Sequence, residues 1–228
     1  MKIIAIIPAR GGSKGIPRKN VRLIAGKPML AWNIEAARKS KYIDSVYIST
    51  DDAEIKEVAS KYGANVIDRP KNIAGDTASS ESSLCHSLEI LSDEGIKPDL
   101  LVFMQCTSPL TSSEDIDEAV RKLLDTNADS CLTVTDFHYF IWKEDLNGVA
   151  EGINHDKRFR PRRQDRDSQY VENGAVYVMN VRGFLKEKHR FFGKTVISVM
   201  PQERSFEIDE LIDLHIVEAM LKMRCFFR

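Results

Sequence analysis

Residues 3–20 read IIAIIPARGGSKGIPRKN, an apolar run followed at once by a glycine-rich, basic loop. An unbroken apolar run predicts a strand covered on both faces, as in the parallel sheets of α/β proteins. The loop then follows the carboxyl end of that strand, the edge where open α/β sheets bind ligands. This stretch therefore predicts both the fold class and the place of a functional site.

Apolar runs and amphipathic segments alternate along the first two thirds of the chain. The predicted strands are residues 2–8, 45–50, 65–67, 100–104, 130–134, 172–179 and 195–200, and the predicted helices are residues 28–40, 52–62, 80–94, 113–126 and a last one from about 209. Such alternation predicts an α/β fold with three layers, a doubly wound, mostly parallel sheet between helices. We expect a single domain over residues 1–228, with an excursion at about residues 137–172 that carries a basic stretch (157–166).

Composition excludes several classes of function. The 228 residues carry a formal net charge of −1, so no strong positive field favours nucleic acid or an anionic membrane. The apolar run at the start is too short for a signal peptide or a membrane span. The four cysteines lie far apart without metal-ligand spacing, which disfavours zinc and favours reduced thiols and a cytoplasmic location.

The glycine-rich loop (residues 9–20) has the composition of a polyphosphate site. Its glycines allow the backbone N–H groups to approach a ligand, and Arg10, Lys14, Arg18 and Lys19 supply positive charge. The spacing is neither that of a Walker A motif nor Gly-x-Gly-x-x-Gly, so a dinucleotide cofactor is disfavoured. Taken alone, the loop fits a solvated turn equally well.

Several motifs occur in order along the chain, from this loop to positions well beyond it. They are IIPARGGSKGIPRKN (6–20), STDD (49–52), DRP (68–70), DTASS (76–80), QCTSPL (105–110), RRQD (162–165) and ENGAVYV (172–178). Together they closely resemble the CMP-sialic acid synthetases (acylneuraminate cytidylyltransferases), and the resemblance runs nearly from end to end. It implies a fold like that of the nucleotide-diphospho-sugar transferases.

The resemblance also implies an activity. CMP would pass from CTP to the anomeric hydroxyl of a nine-carbon ulosonic acid of the sialic type, with Mg²⁺ as cofactor and pyrophosphate as product. It further implies a homodimer in which the excursion reaches the partner's active site. Two alternatives stay open: a cytidylyltransferase for an eight-carbon 3-deoxy-octulosonate, and a non-catalytic nucleotide-binding regulator on the same fold. No general base stands out among the motifs.

The resemblance assigns a nucleotide site to three stretches of the chain. The implied nucleotide site comprises Arg10, Gly11, Gly12, Ser13, Lys14, Lys19, Asn20, Arg69 and Ser80. Lys19 and Arg10 would stabilise charge on the phosphates during transfer, which is the main requirement of phosphoryl chemistry. Without the resemblance, Arg69 is more simply a solvated arginine at the turn of Pro70.

An acceptor site is implied by further matching positions. These are Gln105, Lys143, Arg162, Tyr177, Phe191 and Phe192. The guanidinium of Arg162 could grip a carboxylate through two parallel hydrogen bonds. Simpler readings exist: Thr107, Ser108 and Pro109 suit a helix N-terminus, the basic stretch suits a solvated or subunit-contacting surface, and the two phenylalanines suit a core or interface.

The resemblance implies a metal site at Glu207 and Asp209, which match the family's late acidic pair, and residues i and i+2 of an extended segment point to one side, so both could face the same ion. Magnesium commonly takes one or two carboxylates together with phosphates and waters. The family commonly has aspartate at both positions, which makes Asp209 the safer ligand and also a catalytic candidate. The simpler reading is that Asp209 caps the last helix and Glu207 is solvated.

Overall fold

The structure is a computed structural model that describes residues 1–12 and 15–226. Within these ranges, a seven-stranded sheet forms the centre of the molecule, in the order β11-β7-β10-β6-β1-β4-β5. The strands are β1 (Ile3–Pro8), β4 (Ser45–Thr50), β5 (Asn65–Asp68), β6 (Leu100–Met104), β7 (Ser130–Phe137), β10 (Gln169–Asn180) and β11 (Thr195–Val199). The two short strands β2 (Leu23–Ile24) and β3 (Lys27–Pro28) pair with each other outside it.

The sheet is mostly parallel, as the sequence predicts. Strands β5, β4, β1 and β6 are parallel neighbours, and β11 is parallel to β7. Strand β10 runs antiparallel to both β6 and β7 and carries a register shift between Glu172 and Tyr177. Because the four neighbouring parallel strands end at one edge, the segments that follow β1, β5 and β6 meet there.

Helices cover both faces of the sheet and give the three predicted layers. They are α1 (Met29–Lys39), α2 (Ala53–Lys61), α3 (Ser80–Asp93), α4 (Ser113–Asp125), α5 (Val181–Glu187) and α6 (Leu211–Phe226). Side chains of α1, α2, α4 and α6 share one buried cluster with Ile3, Ala5 and Ile7. Side chains of α3 and α5 share the other with Ile4 and Ile6. Strand β1 is therefore buried on both faces.

The segment at residues 137–172 leaves the sheet after β7 and returns to it in β10. Between them, β8 (Trp142–Glu144) and β9 (Ala150–Gly152) pair as a separate antiparallel hairpin. Large apolar side chains on this segment are exposed, among them Tyr139, Trp142 and Phe159. The excursion thus presents apolar surface that the other described residues do not cover.

Two further observations bear on the expectations from composition. Among the described cysteines, Cys106 and Cys131 are buried, Cys85 is partly buried, and all three are free thiols. In the part of the chain that the structure describes, no helix has both the length and the apolar character that crossing a bilayer requires.

Candidate active site

A cavity of about 420 Å³ opens at the edge where the parallel strands end. Segments following β1, β5 and β6 line it, together with the start of α3 and the segment before α6. We call this cavity the crevice. The sequence-predicted residues that line it are Arg10, Lys19, Asn20, Arg69, Ser80, Gln105 and Asp209. Candidates for the nucleotide, the acceptor and the metal therefore share one space.

Lys19 and Asp209 meet in the crevice although 190 positions separate them in the chain. Lys19 Nζ donates to the carbonyl oxygen of Ile208 at 2.7 Å and to Asp209 Oδ1 at 3.2 Å. A Cβ on Gly15 would lie only 2.6 Å from the carbonyl oxygen of Asp209. Glycine at this position thus lets the loop approach the segment before α6 closely enough for the lysine to reach it.

Two aspartates at the end of β4 hold the glycine-rich loop. The Gly11 N–H donates to Asp51 Oδ1 at 3.1 Å, and Arg18 donates to both oxygens of Asp52 at 2.6 and 2.9 Å. Arg18 also pairs with Glu54 and has left-handed backbone (φ 57°). Hydrogen bonds from Arg18 lower the pKa of Asp52. The hydrogen bonds that Arg18 donates to Asp52 and Glu54 in turn raise the pKa of Arg18. The loop is therefore anchored to the start of α2 at two points.

Arg10 is fixed across the mouth of the crevice. Its Nη1 donates to the carbonyl oxygen of Gly75 at 3.0 Å and pairs with Asp76 at 2.9 Å. Asn20, buried beneath it, donates through Nδ2 to the carbonyl oxygen of Arg10 at 2.9 Å. Asn20 thus supports the loop backbone from within and also lines the crevice.

Arg69 is only 8% exposed, so it is not the solvated arginine of the simpler reading. Its Nε donates to Ser49 Oγ at 3.2 Å and its Nη2 donates to the Ser49 carbonyl oxygen. Ser83 on α3 donates in turn to Ser49 Oγ at 3.0 Å. Burial lowers the pKa of Arg69. A buried guanidinium held by neutral partners at a cavity wall presents a positive group to a ligand.

The QCTSPL turn is held by a buried polar residue. Asn33 on α1 is fully buried, and its Nδ2 donates to the carbonyl oxygens of Gln105 and Cys106 at 3.2 and 3.0 Å. Helix α4 begins where the predicted helix of residues 113–126 begins, with Ser112 as its cap in a capping box with Asp115, so the simpler reading of Thr107, Ser108 and Pro109 as a helix N-terminus does not hold. The turn therefore shapes the crevice instead of starting the helix.

Cys106 lines the crevice but is almost completely buried. Its Sγ donates to the carbonyl oxygen of Pro8 at 3.5 Å, and burial raises the pKa of the thiol to about 12. The side chain is therefore a protonated packing group at neutral pH.

On the β6–β10 side, Phe103 lines the crevice, and the predicted acceptor residues Tyr177, Phe191 and Phe192 pack behind it without lining the cavity. Phe103 lines the cavity and stacks on Tyr177, its cross-strand partner, with ring centroids 5.3 Å apart. Tyr177 donates a hydrogen bond to Glu172, and burial raises its pKa. Phe191 packs on Tyr177 with centroids 6.0 Å apart, and Phe192 packs on the same buried cluster.

Glu207 and Asp209 differ in environment. Asp209 lines the crevice with a side chain that is 73% exposed. Glu207 lies against Gly174, whose φ of +65° and missing Cβ leave room for the carboxylate. Burial, followed by the nearby charge of Asp209, raises the pKa of Glu207. Glu207 is thus partly buried and not solvated as in the simpler reading, and Asp209 faces the cavity.

The structure places the remaining predicted residues elsewhere or does not describe them. Lys143 and Arg162 lie on the excursion, where they pair with Glu151 and Asp165, and neither lines the crevice of its own chain. Gly12 is exposed in the loop. Ser13 and Lys14 fall outside the described residues.

Sequence reasoning missed the residues that hold the predicted ones in place. Asn33 could have been noticed as a lone polar residue within the apolar face of α1. Asp76 stands inside the quoted DTASS motif, and Ser49 inside STDD, but no pattern indicated their partners. The pairings of Arg10 with Asp76 and of Arg69 with Ser49 span 66 and 20 positions and depend on the fold.

Comparisons with known proteins identify the chain's relatives. A family model described as Cytidylyltransferase matches residues 4–223. A pseudaminic acid cytidylyltransferase of Campylobacter jejuni is 34% identical, over 98% of this chain and 97% of its own length. N-acylneuraminate cytidylyltransferase A of Danio rerio is 36% identical over 95% of this chain. An N-acylneuraminate cytidylyltransferase of Escherichia coli is 33% identical over 94% of this chain. The chain spans only about half the length of these last two relatives.

Solved structures share the fold. A CMP:2-keto-3-deoxy-manno-octonic acid synthetase complexed with CTP has a TM-score of 0.71 at 17% identity, covering 98% of this chain and all of that one. A 4-diphosphocytidyl-2C-methyl-D-erythritol synthase has a TM-score of 0.72 at 10% identity, covering 96% and 99%. At such identities the likeness establishes the fold alone.

The anchoring of the glycine-rich loop yields a first prediction. Asp52→Asn keeps an oxygen that can cap α2 but removes the charge that pairs with Arg18. Because Arg18 is 43% exposed and the pair is screened, we expect a local loss of about 1 kcal/mol, or about fivefold faster amide exchange at residues 15–22. Hydrogen–deuterium exchange measures the amide exchange rates of this segment. Asp125→Asn, which removes a partner of Arg121 on α4, is the control. Equal exchange in Asp52→Asn and wild type would contradict the anchoring.

Proposed function

Because the chain belongs to the cytidylyltransferase family, we propose that it transfers CMP from CTP to the anomeric hydroxyl of a nine-carbon ulosonic acid of the sialic type. The observation that carries the proposal is the meeting of Lys19, Arg69 and Asp209 around one cavity. The groups proposed to bind the triphosphate, the base and the metal therefore lie around one space. An eight-carbon 3-deoxy-octulosonate is the second candidate acceptor, favoured by the fold shared with a synthetase for such an acid.

The strand order suggests how CTP lies in the crevice. Arg69 follows β5 and Gln105 follows β6, three strands away, or roughly 14 Å at about 4.8 Å per strand. The glycine-rich loop follows β1 between them. The cytosine would lie near Arg69, Asn20 and Ser80, the phosphates along the loop, and the acceptor near Gln105 and Tyr177. This order puts the α-phosphate between the base and the acceptor.

In this arrangement the acceptor hydroxyl oxygen attacks the α-phosphorus in line. A bond forms between that oxygen and the α-phosphorus, the bond from the α-phosphorus to the oxygen bridging it to the β-phosphorus breaks, pyrophosphate leaves with that oxygen, and the hydroxyl proton passes to water. Lys19 and Arg10, both already oriented by fixed oxygen partners, would stabilise the charge that develops on the phosphates. Orientation before binding reduces the reorganisation needed during the reaction.

The carboxylates before α6 fit Mg²⁺. No group of three or more metal-ligating side chains occurs among residues 1–12 and 15–226, so phosphates and waters would complete the coordination. Asp209 faces the cavity, and its negative charge lies close enough to Glu207 to raise the pKa of that carboxyl. A bound cation would offset the repulsion between the two carboxylates. Asp209 is thus the proposed direct ligand and Glu207 the second. When bound, Mg²⁺ would neutralise charge on the phosphates and the leaving group.

A turnover assay tests the function and the acceptor class. With CTP and Mg²⁺, we expect pyrophosphate release with at least one nine-carbon acid among N-acetylneuraminate, its deaminated form, legionaminate and pseudaminate. Release with 3-deoxy-octulosonate should be at least about tenfold lower in kcat/KM, because loss of acceptor contacts worth about 1.4 kcal/mol gives that factor. A preference for the eight-carbon acid would reverse the assignment. CTP binding without any release would favour a nucleotide-binding regulator.

Two substitutions test the charges in the crevice. Lys19→Met and Asp209→Asn should each lower kcat by about 10²- to 10³-fold, the usual loss when one charge-stabilising group is removed from an active site. Steady-state kinetics with the best acceptor measures this. Lys61→Met and Asp93→Asn, at exposed helix positions, are matched controls. Activity within threefold of wild type in either crevice variant would exclude that residue from the proposed role.

We also propose that the whole chain acts as one catalytic unit within a homodimer joined through the excursion. Exposed apolar side chains are concentrated there: Tyr139, Ile141, Trp142, Leu146, Val149, Ile153, Phe159, Tyr170 and Val171. Such a concentration of apolar surface is typical of an interface. Lys143 and Arg162 do not line the crevice of their own chain. In the dimer they would contact the acceptor bound in the partner's crevice.

Sedimentation tests the dimer. The chain of 25.9 kDa should sediment at twice that mass at micromolar concentration. Replacing both Trp142 and Phe159 by Asp should give the monomer, because a charge in an apolar interface is costly to desolvate. Leu23→Asp, at an exposed apolar position outside the excursion, should remain a dimer. A monomeric wild type would contradict the assembly.

A further inference from the structure

A largely buried ion pair lies beside the stacked rings of Phe103, which lines the crevice, and Tyr177. Arg190 Nε donates to Glu81 Oε1 at 2.7 Å, and the two side chains are only 17% and 15% exposed. Burying an ion pair is costly, and apolar residues of similar size often stabilise a fold as well. The location of this pair therefore calls for a reason other than stability.

The guanidinium of Arg190 contacts both of these stacked rings. Its central carbon lies 5.1 Å from the ring centroid of Phe103 and 4.7 Å from that of Tyr177. Those rings belong to directly paired residues of β6 and β10. A planar cation over aromatic rings is attracted to them, and its shape constrains how they lie. Arg190 thus fixes the stacked rings relative to each other.

The other end of the pair lies next to further residues that line the crevice. Glu81 belongs to the first turn of α3, next to Ser80, and Ser79 and Ser80 both line the crevice. One hydrogen-bonded contact therefore joins the start of α3, on the proposed cytosine side, to Phe103 and Tyr177, on the proposed acceptor side. Arg190 itself does not line the cavity, so any effect on a ligand is exerted through these neighbours.

We propose that Arg190, held by Glu81, is a positioning residue for the acceptor. It orients the stacked Phe103–Tyr177 ring pair, in which Phe103 lines the crevice and supplies the surface against which the acceptor's carbon skeleton packs, and so contributes to acceptor affinity without touching the reacting atoms. This inference rests on the proposed function. It concerns a residue outside the motifs that carry the family resemblance.

Steady-state kinetics separates this role from a general structural one. Arg190→Met should raise the acceptor KM about tenfold, whereas kcat and the CTP KM should change less than about threefold, because the lost ring contacts lie on the acceptor side and Glu81 itself does not line the crevice. Arg190→Lys, which keeps the charge, should recover part of the loss. Glu81→Gln should shift the acceptor KM in the same direction, and the double variant Glu81→Gln/Arg190→Met should be no worse than Arg190→Met, since the two act as a unit.

Arg121→Met provides the control. Arg121 also pairs with two carboxylates, but on the exposed face of α4, and should leave both KM values unchanged. An unchanged acceptor KM in Arg190→Met, or equal rises in the KM of acceptor and CTP, would overturn the proposal. If Arg190→Met does not fold, Arg190→Lys and Glu81→Gln supply the same comparison. A wild-type chain without turnover would overturn the proposed function as well, and would do so before any variant is measured.

Discussion

The contact between the glycine-rich loop and the segment before the last helix is the constraint on which the site depends. Lys19 reaches Ile208 and Asp209 only because Gly15 lets the two backbones approach, and the crevice is enclosed where they meet. Strand β1, buried on both faces, fixes the start of the loop at the centre of the sheet. The first twenty residues and the last twenty described ones are therefore joined at the point where chemistry is proposed.

Positive charge in the crevice is arranged locally, in keeping with a net charge near zero. Arg10 pairs with Asp76, Arg18 with Asp52 and Lys19 with Asp209, so each of these three described loop cations has a carboxylate that orients it. Arg69 differs, because its hydrogen bonds go to Ser49 and burial disfavours its charge. A polyphosphate can draw on oriented cations, and a base can be read by a buried guanidinium. The two kinds of environment suit the two halves of a nucleotide.

Much of the fold could be predicted because the sheet is dominated by local signals. The strands at residues 45–50 and 100–104 are apolar and sharply bounded, and the structure has them at those limits. The direction of β10 could not be predicted, since the same alternation of side chains suits parallel and antiparallel pairing. The short helix α5 and the hairpin of the excursion escaped notice because their sequences lack clear periodicity. In the site, the residue types could be predicted from motifs, whereas partners such as Asn33 and Glu81 depend on tertiary contacts.

The environment of Cys106 has a consequence for anyone wishing to block the crevice. A sulfur atom borders the cavity, which invites the design of electrophilic inhibitors or the use of alkylating reagents as site probes. With a thiol pKa of about 12 and almost no exposed surface, the nucleophilic thiolate is essentially unpopulated at neutral pH. Alkylation of Cys106 would thus report opening of the sheet edge, and reversible ligands that use the fixed cations are the better starting point for inhibition.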